Sequence, residues 1–433
     1  MNDTSVTDVS LYAASPVSRK DLIILLSGLI LGSTLLLNRV HEAHFVDESA
    51  YISQAYFGDL FITGQYHSSL WFEYPAYDLP PFTKYLVWAG FVFNGDPRPG
   101  PAAMRAWYQD TSKRFVSDDV LQHARLPVTL CGVVCVIATG FLANRWKGIW
   151  AGLLAMSMLV VNPLFRTHSR RAMADIPTEM GVVLALLILS STHQGWRKLL
   201  RSAFTGGVFL GLAASSKLNG LLASMVIAGW ALLSLRRNPS DFMKTIIAGI
   251  LGAAFFIFLN PFFYASSEGL GEPQFREIRE MSLGQRLRFV MDHRISVSKE
   301  GQNLFPNDAL RTIPEKLSVM VIQGFGRFSP LGPRHDDSRN RFDIRQDWAC
   351  PIWLITVLSG ALFALRDSSP NRKSGQFLVL YGVIAVIVVG AFLPLAWNRY
   401  FLPIVIPSTI LAAGSIVSIL QKMHNPKSDR ISV

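Results

Sequence analysis

Apolar runs long enough to cross a lipid bilayer constrain the fold of this chain more than any other feature. A helix needs roughly 20 mostly apolar residues to span the hydrocarbon core. Runs of about this length lie at residues 20–38, 125–143, 148–164, 175–192, 199–216, 218–235, 242–263, 350–366, 375–395 and 400–420. The sequence therefore predicts an all-α polytopic membrane protein with about ten transmembrane helices.

The composition supports a membrane protein and argues against a nucleic-acid partner. Charged residues make up 16% of the chain, whereas soluble proteins contain about 25%. The formal net charge is +11, but lysine and arginine collect in the cytoplasmic loops of membrane proteins, and no soluble domain carries a basic stripe. The three cysteines have neither disulfide nor zinc spacing, and Cys131 and Cys135 are predicted to be small packing residues.

Two long polar segments interrupt the apolar runs. Lysine and arginine are concentrated in the short loops that share a side with the N-terminus, which predicts cytoplasmic termini and two long external loops. The short apolar stretch 85–93 in the first of these loops suits a helix in the membrane interface. The predicted regions are a cytoplasmic tail (1–19), a transmembrane region (20–263) with an external loop (41–124), a second external loop (264–349), C-terminal helices (350–421) and a second cytoplasmic tail (422–433).

The short external loops nevertheless contain basic residues, which the charge bias disfavours there. Arg170 and Arg171 lie in one such loop, Lys217 in another and Arg399 in a third. Each alone is explained by a side chain that extends to the membrane surface. Three such loops on the face that carries both long segments favour a site for an anionic ligand.

An acidic pair, Asp47-Glu48, follows the first apolar run. Two adjacent carboxylates near a low-dielectric boundary can act as a general base and its orienting partner. The alternative is an acidic first helical turn that favours the helix dipole. The pair alone does not distinguish the two.

Two further motifs contain a cation near the predicted membrane surface. Pro80-Pro81 imposes an extended turn before the interfacial helix, whose first turns contain Lys84. The alternative is that the two prolines only shape a turn in the loop and have no role in a site. The segment from Ser169 to Asp175 contains Arg170, whose guanidinium can bind a phosphate through two hydrogen bonds. The alternative there is an internal salt bridge between Arg171 and Asp175.

As a set, these residues resemble the protein O-mannosyltransferase family and its bacterial relatives that add aminoarabinose to lipid A. These are C-type membrane glycosyltransferases, similar to glycosyltransferase family 39. Their motifs correspond here to Asp47-Glu48, Leu79-Pro80-Pro81-Phe82-Thr83-Lys84, Ser169-Arg170 through Asp175, and Arg399-Tyr400-Phe401-Leu402-Pro403. The resemblance covers most of residues 20–235 and 397–403. Leu79 departs from it, since many eukaryotic relatives have histidine at this place.

The resemblance implies transfer of a sugar, with inversion, from a polyprenyl-phosphate donor to an external protein, lipid or glycan. It implies no metal and no cofactor besides this lipid-linked substrate. A bacterial or archaeal relative fits the chain better than a eukaryotic one, and the predicted location is the inner membrane of a bacterium. Asp47 is then the catalytic base, and Glu48 positions a substrate. The implied phosphate-binding residues are Lys84, Arg170, Lys217 and Arg399, with Asp175, Pro80, Pro81 and Tyr400 in support.

Two questions stay open at this stage. A polytopic transporter or lipid flippase is the alternative function, although no inverted repeat is evident and the charges lie at the ends of the apolar runs. The second external loop contains Arg276, Arg279, Arg286, Arg288, Arg294 and Arg334-His335-Asp336-Asp337. This loop either covers the site or recruits an anionic acceptor, or it is a solvated, partly helical loop that pairs with its own acids.

Overall fold

The computed structural model describes residues 18–110, 117–191, 195–236, 238–266, 273–323, 325, 350–369 and 371–424. The α-helices among these residues are α1 (Arg19–Asn38), α2 (Val46–Ser53), α3 (Tyr56–Ile62), α4 (Tyr74–Asp78), α5 (Pro81–Asn94), α6 (Pro101–Gln109), α7 (Asp118–Lys147), α8 (Ile149–Val161), α9 (Pro163–His168), α10 (Asp175–Leu189), α11 (Trp196–Ser216), α12 (Leu222–Ser234), α13 (Pro239–Leu259), α14 (Pro273–Glu280), α15 (Leu283–Leu304), α16 (Ile313–Ser318), α17 (Pro351–Arg366), α18 (Arg372–Phe392) and α19 (Leu402–His424). Short 3-10 turns include Leu218–Leu221 and Asn398–Phe401.

The predicted all-α polytopic membrane fold is confirmed. Within the described ranges, six helical segments are long and apolar enough to cross a membrane: Arg19–His41, Asp118–Lys147, Trp196–Ser216, Pro239–Leu259, Arg372–Phe392 and Asn398–His424. Three shorter apolar helical segments accompany them: Ile149–Val161, Leu218–Ser234 and Pro351–Arg366. Every predicted run coincides with a helix, the remaining one being α10. The total of ten spans stays a prediction.

Small residues set how the spanning helices pack. Gly28 and Gly32 of α1 lie against Ile137 and Val133 of α7, which makes these two helices antiparallel. Such close approach is typical of membrane bundles, where packing rather than the hydrophobic effect joins helices. Helix α19 is the most enclosed of these six candidate spans, and its residues from Leu402 to Ser415 are all buried. Its neighbours therefore restrict the movement of α19 within the bundle.

The alternating helix directions bring one set of helix ends together. This end of the bundle contains the C-termini of α1, α8, α11, α13 and α18 and the N-termini of α7, α10, α12, α17 and α19. Both long polar segments begin and finish there. The structure thus places them on the same face, whereas the side of the membrane stays a prediction.

The first polar segment folds back onto this end of the bundle through α2 to α6. Pro80 has an extended backbone with φ −57° and ψ 147°, and Pro81 begins α5. Proline suits the first position of a helix because its missing N–H would have no partner there. Gly95, at φ 73°, ends α5 in a left-handed conformation that glycine adopts at little cost. The predicted 85–93 helix thus lies within α5.

The second polar segment is attached to the bundle through α15. The Arg286 guanidinium is buried and donates to the carbonyls of Phe262 and Ala265 at 2.7 and 3.1 Å. Arg288 is 85% exposed and faces Asp292 on its own helix at 3.7 Å. Arg288 thus fits the solvated, self-paired interpretation of the segment, and Arg286 attaches its helix to the bundle. That the segment covers the site or recruits an acceptor stays a prediction. Residues 334–337 and the side chain of Arg276 lie outside the described parts.

Candidate active site

Asp47 and Arg399 form an ion pair at the end of the bundle where the polar segments meet. Asp47 lies in the first turn of α2, and Arg399 lies in the 3-10 turn before α19. Arg399 Nη1 donates to Asp47 Oδ2. The Arg399 guanidinium lies 5.0 Å from the ring centroid of Trp397 and 5.7 Å from that of Tyr400. The Asp47 side chain remains 31% exposed, so its carboxylate is accessible.

A second ion pair lies beside the first. Lys217 Nζ is 2.7 Å from Asp175 Oδ1, and the same amine lies 5.5 Å from the ring centroid of Tyr400. Tyr400 thus contacts both Lys217 and Arg399, so the two cations are neighbours. The alternative pairing of Arg171 with Asp175 does not form, since Arg171 Nη2 instead donates to Glu42 at 3.0 Å.

Tyr51 connects these charges to the second polar segment. It lies one helical turn after Asp47 on α2. Its hydroxyl lies within electrostatic range of Asp175, Asp47, Arg294 and Arg399. Burial, assisted by the two carboxylates, raises the pKa of Tyr51 well above its usual range. The phenol therefore stays neutral and able to donate a hydrogen bond.

Glu48 is enclosed by hydrogen-bond donors. Arg125 of α7 donates to both of its carboxylate oxygens, Nε at 2.8 Å and Nη2 at 2.7 Å. The backbone N–H groups of Ala172 and Phe45 donate to the same oxygens at 2.8 and 2.9 Å. Both charged side chains are fully buried. Glu48 thus joins α2, α7 and the chain before α10, and this clamp holds the neighbouring Asp47 in place.

The Lys84 side chain is more deeply buried than expected for a lysine that binds a ligand. Its Nζ donates to the Pro75 carbonyl at 2.6 Å and lies 4.7 Å from the ring centroid of Phe57. The side chain is 1% exposed, and burial lowers the pKa of Lys84 to about 7. The structure therefore directs this amine into the first polar segment.

Within the described residues, Arg170 forms no hydrogen bond or ion pair with Asp47 or Asp175. Its electrostatic neighbours are Glu42 and Arg166. Its Nε is buried and has no hydrogen-bond partner in the described part of the chain. Among the motif cations, the structure thus brings Arg399 and Lys217 together at the two carboxylates and leaves Lys84 and Arg170 at separate positions.

Asp78, at the end of α4, is a site residue that the sequence analysis missed. It accepts a hydrogen bond from Tyr108 Oη at 2.9 Å, and His293 Nε2 and Arg294 Nη1 of α15 lie 3.4 and 3.6 Å away. Burial alone would raise its pKa, but the His293 hydrogen bond and the Arg294 charge lower the pKa of Asp78 below its usual range. Asp78 is therefore an ionised anchor for α15.

Other residues near the site differ in how easily the sequence could have identified them. Tyr51 follows Asp47 at helical spacing, and Arg125 is a charge at the start of an apolar run, so both were recognisable signals. His168 is 1% exposed, neither ring nitrogen has a partner within the described ranges, and Nδ1 lies 4.0 Å from Asp175 Oδ2. Burial lowers the pKa of His168 to about 3, which keeps its imidazole neutral. No spacing in the sequence points to it.

The chemistry available here is proton transfer and the binding of negative charge. Asp47 is an accessible carboxylate, while Arg399 and Lys217 present fixed cations close to it. Preorganised cations stabilise charge that develops in a transition state. Across the described residues, no group of three or more His, Cys, Asp or Glu side chains is placed to hold a metal ion. That the reaction needs no metal stays a prediction.

Comparison with known proteins gives a match to one family model and a set of similar structures. Residues 65–265 match the family model for dolichyl-phosphate-mannose-protein mannosyltransferase. ArnT from Cupriavidus metallidurans bound to undecaprenyl phosphate is 14% identical with a TM-score of 0.53, over 95% of this chain and 60% of that one. The archaeal oligosaccharyltransferase AglB from Archaeoglobus fulgidus, in complex with an inhibitory peptide and a dolichol-phosphate, is 14% identical with a TM-score of 0.55.

The alignment with AglB covers 95% of this chain and 52% of that one, so the chain spans between about half and two thirds of the length of these two structures. A comparison with curated protein sequences gives no match. The similar structures establish the fold, and the family model covers the region with Lys84, Arg170 and Lys217. The predicted resemblance to this family is therefore confirmed over residues 65–265, and the chain has the fold of ArnT and AglB.

Proposed function

We propose that this protein transfers a sugar from a polyprenyl-phosphate donor to an acceptor hydroxyl at the external face of a membrane. The observation that carries the proposal is the accessible Asp47 carboxylate, which is paired with Arg399 and lies beside the Lys217–Asp175 pair. The family match and the shared fold favour a glycosyltransferase over a transporter or flippase.

In the proposed reaction, Asp47 accepts the proton of the acceptor hydroxyl as its oxygen attacks the anomeric carbon of the sugar. The bond between that carbon and the phosphate oxygen breaks, and its electron pair stays on the phosphate. Attack from the opposite side of the leaving group inverts the configuration. Arg399 and Lys217 stabilise the charge that the phosphate gains, which lowers the barrier most in a site that excludes water.

The roles of the other motif residues follow from their contacts. Glu48 positions Asp47 through the Arg125 clamp rather than contacting substrate. Asp175 holds Lys217 against Tyr400. We assign Lys84 the role of supporting the first polar segment, and Arg170 that of a phosphate-binding residue at the edge of the site. No cofactor is required in this proposal.

The location follows from the helices and from the proposed donor. The chain is an integral, multi-pass membrane protein. The undecaprenyl phosphate bound by ArnT and the dolichol-phosphate bound by AglB support a donor of the same lipid class. We propose that the site faces the outside of a bacterial inner membrane and that both termini are cytoplasmic, as the distribution of lysine and arginine predicts.

Substitution of Asp47 tests the proposal. Asp47→Asn keeps the shape of the side chain but removes the base, which contributes roughly 100-fold to 10,000-fold in enzymes that use one. A deletion strain of the host is complemented with wild-type or variant protein, and its glycolipids and glycoproteins are compared by mass spectrometry. Asp59→Asn is the matched control, since Asp59 lies in the same polar segment but binds Trp88 and Arg98. Unchanged glycosylation with Asp47→Asn would remove Asp47 as the base.

A further inference from the structure

Arg294 extends from α15 toward Asp78 but is only loosely paired with it. Its Nη1 lies 3.6 Å from Asp78 Oδ1, which is longer than the roughly 2.7–2.9 Å of a good charge-assisted hydrogen bond. Its Nη2 is buried and has no hydrogen-bond partner among the described residues. An unpartnered buried guanidinium nitrogen costs free energy. Arg294 thus retains capacity to donate to a further anion.

The surroundings of Arg294 place this capacity at the site. Its charge acts on Tyr51, which is also within range of Asp47 and Arg399. It acts on Lys84 as well, whose own amine is taken up by a carbonyl and an aromatic ring. Arg294 therefore adds a cation from the second polar segment near the position where the sequence predicted one from Lys84.

We propose that Arg294 exchanges its contact with Asp78 for a contact with the phosphate of the lipid-linked donor. Before the donor binds, Asp78 keeps the guanidinium in position. This inference rests on the proposed function. A phosphate accepts more hydrogen bonds than a carboxylate and matches the planar guanidinium with two parallel ones. Asp78 keeps the Tyr108 and His293 contacts after Arg294 leaves, so it is not left unpaired.

The attachment of α15 makes the exchange a side-chain movement. Arg286 fixes one end of the helix to the carbonyls of Phe262 and Ala265. Gln302 fixes the other end, donating to the Pro394 carbonyl at 3.1 Å. Because the helix is held on both sides of Arg294, the guanidinium can turn between two acceptors without displacement of α15. Asp78 and the phosphate then compete for one cation.

Competition gives substitutions at the two residues opposite effects. Purified full-length protein in detergent is titrated with undecaprenyl phosphate, and the bound fraction is measured by native mass spectrometry. Arg294→Gln should weaken binding about tenfold, since a charge-assisted contact is lost. Asp78→Asn should tighten binding about threefold or more, because the competing charge is removed while an acceptor for Tyr108 remains. Asp78→Glu keeps the charge and should stay near the wild-type affinity.

Two controls separate this inference from the proposed function. Arg288→Gln, at an exposed position of the same helix, should leave binding unchanged. The double variant Asp78→Asn/Arg294→Gln should bind as weakly as Arg294→Gln alone. If the wild type binds and Arg294→Gln binds equally well, or if Asp78→Asn weakens binding, the exchange is wrong and the proposed function stands. A wild-type protein that does not bind undecaprenyl phosphate would overturn both. Should Asp78→Asn fail to fold, Arg294→Gln alone still decides whether Arg294 contacts the phosphate.

Discussion

Arg399 donates a hydrogen bond to Asp47 across 352 positions of sequence. The contact joins the start of the enclosed helix α19 to the first turn of α2 in the first polar segment. Trp397 and Tyr400 lie against the same guanidinium, which restricts its orientation. The proposed base is therefore oriented by a residue whose backbone has little freedom to move.

Arg399→Gln is expected to lower the rate of sugar transfer by roughly 100-fold to 1,000-fold, the usual cost of removing a fixed donor from an active site. Arg399→Lys should be only partly active, because an ammonium cannot match a carboxylate or phosphate with two parallel bonds. The measurement is the turnover number of purified protein with its lipid-linked donor. Arg98→Gln, which removes the exposed partner of Asp59, is the control and should be near wild type. Full activity in Arg399→Gln would contradict the assigned role.

The second polar segment also supports Arg399 indirectly. Trp397 Nε1 donates to Asp308 Oδ2 at 2.8 Å, and the Ala396 N–H donates to the Asp308 carbonyl at the same distance. Trp397→Phe removes the side-chain bond but keeps an aromatic ring beside Arg399. We expect the turnover number to fall severalfold while donor binding changes little, since the cation remains but is less well oriented. Equal losses in turnover and donor binding would instead indicate a general structural role.

The Glu48–Arg125 clamp predicts a loss of stability. Removing one partner of a buried ion pair typically costs about 3–5 kcal/mol, because the other charge stays buried without a counter-ion. Glu48→Ala should therefore lower the unfolding temperature in detergent strongly, or prevent the protein from accumulating. Glu73→Ala is a suitable comparison, since its partner Arg105 is 58% exposed and exposed pairs contribute little. If Glu48→Ala is as stable as Glu73→Ala but inactive, Glu48 has a direct role in the reaction instead.

Local sequence patterns predicted the fold well and the contacts of the site only in part. Apolar runs and the Pro80-Pro81 turn depend on neighbouring residues, so they appear in the structure where the sequence placed them. The pairing of Glu48 with Arg125 and of Asp47 with Arg399 depends on how distant helices meet, which no spacing reveals. Lys84 shows the same limit, because its motif indicated a cation near the site but not the burial of its amine.

The burial of Lys84 predicts a specific dependence of stability on pH. In the folded protein the pKa of Lys84 falls from its ordinary value of 10.5 to about 7, chiefly because burial disfavours the charged amine. Between about pH 7 and pH 10 the unfolded chain thus binds the proton more tightly than the folded one, so stability rises with pH across this window. Below pH 7 both states bind the proton, and the cost of burying the charge is fully present.

Comparison with Lys84→Met isolates this contribution, since the variant keeps most of the side-chain volume and has no amine to titrate. The unfolding temperature of the wild type should increase relative to that of Lys84→Met as the pH is raised from about 7 to about 9. Lys299→Met, at an exposed position of α15, is the control and should change the profile little. A constant difference between wild type and Lys84→Met across this range would show that Lys84 keeps its proton in the fold. It would then place the amine in contact with solvent or with an anion, as a phosphate-binding lysine requires.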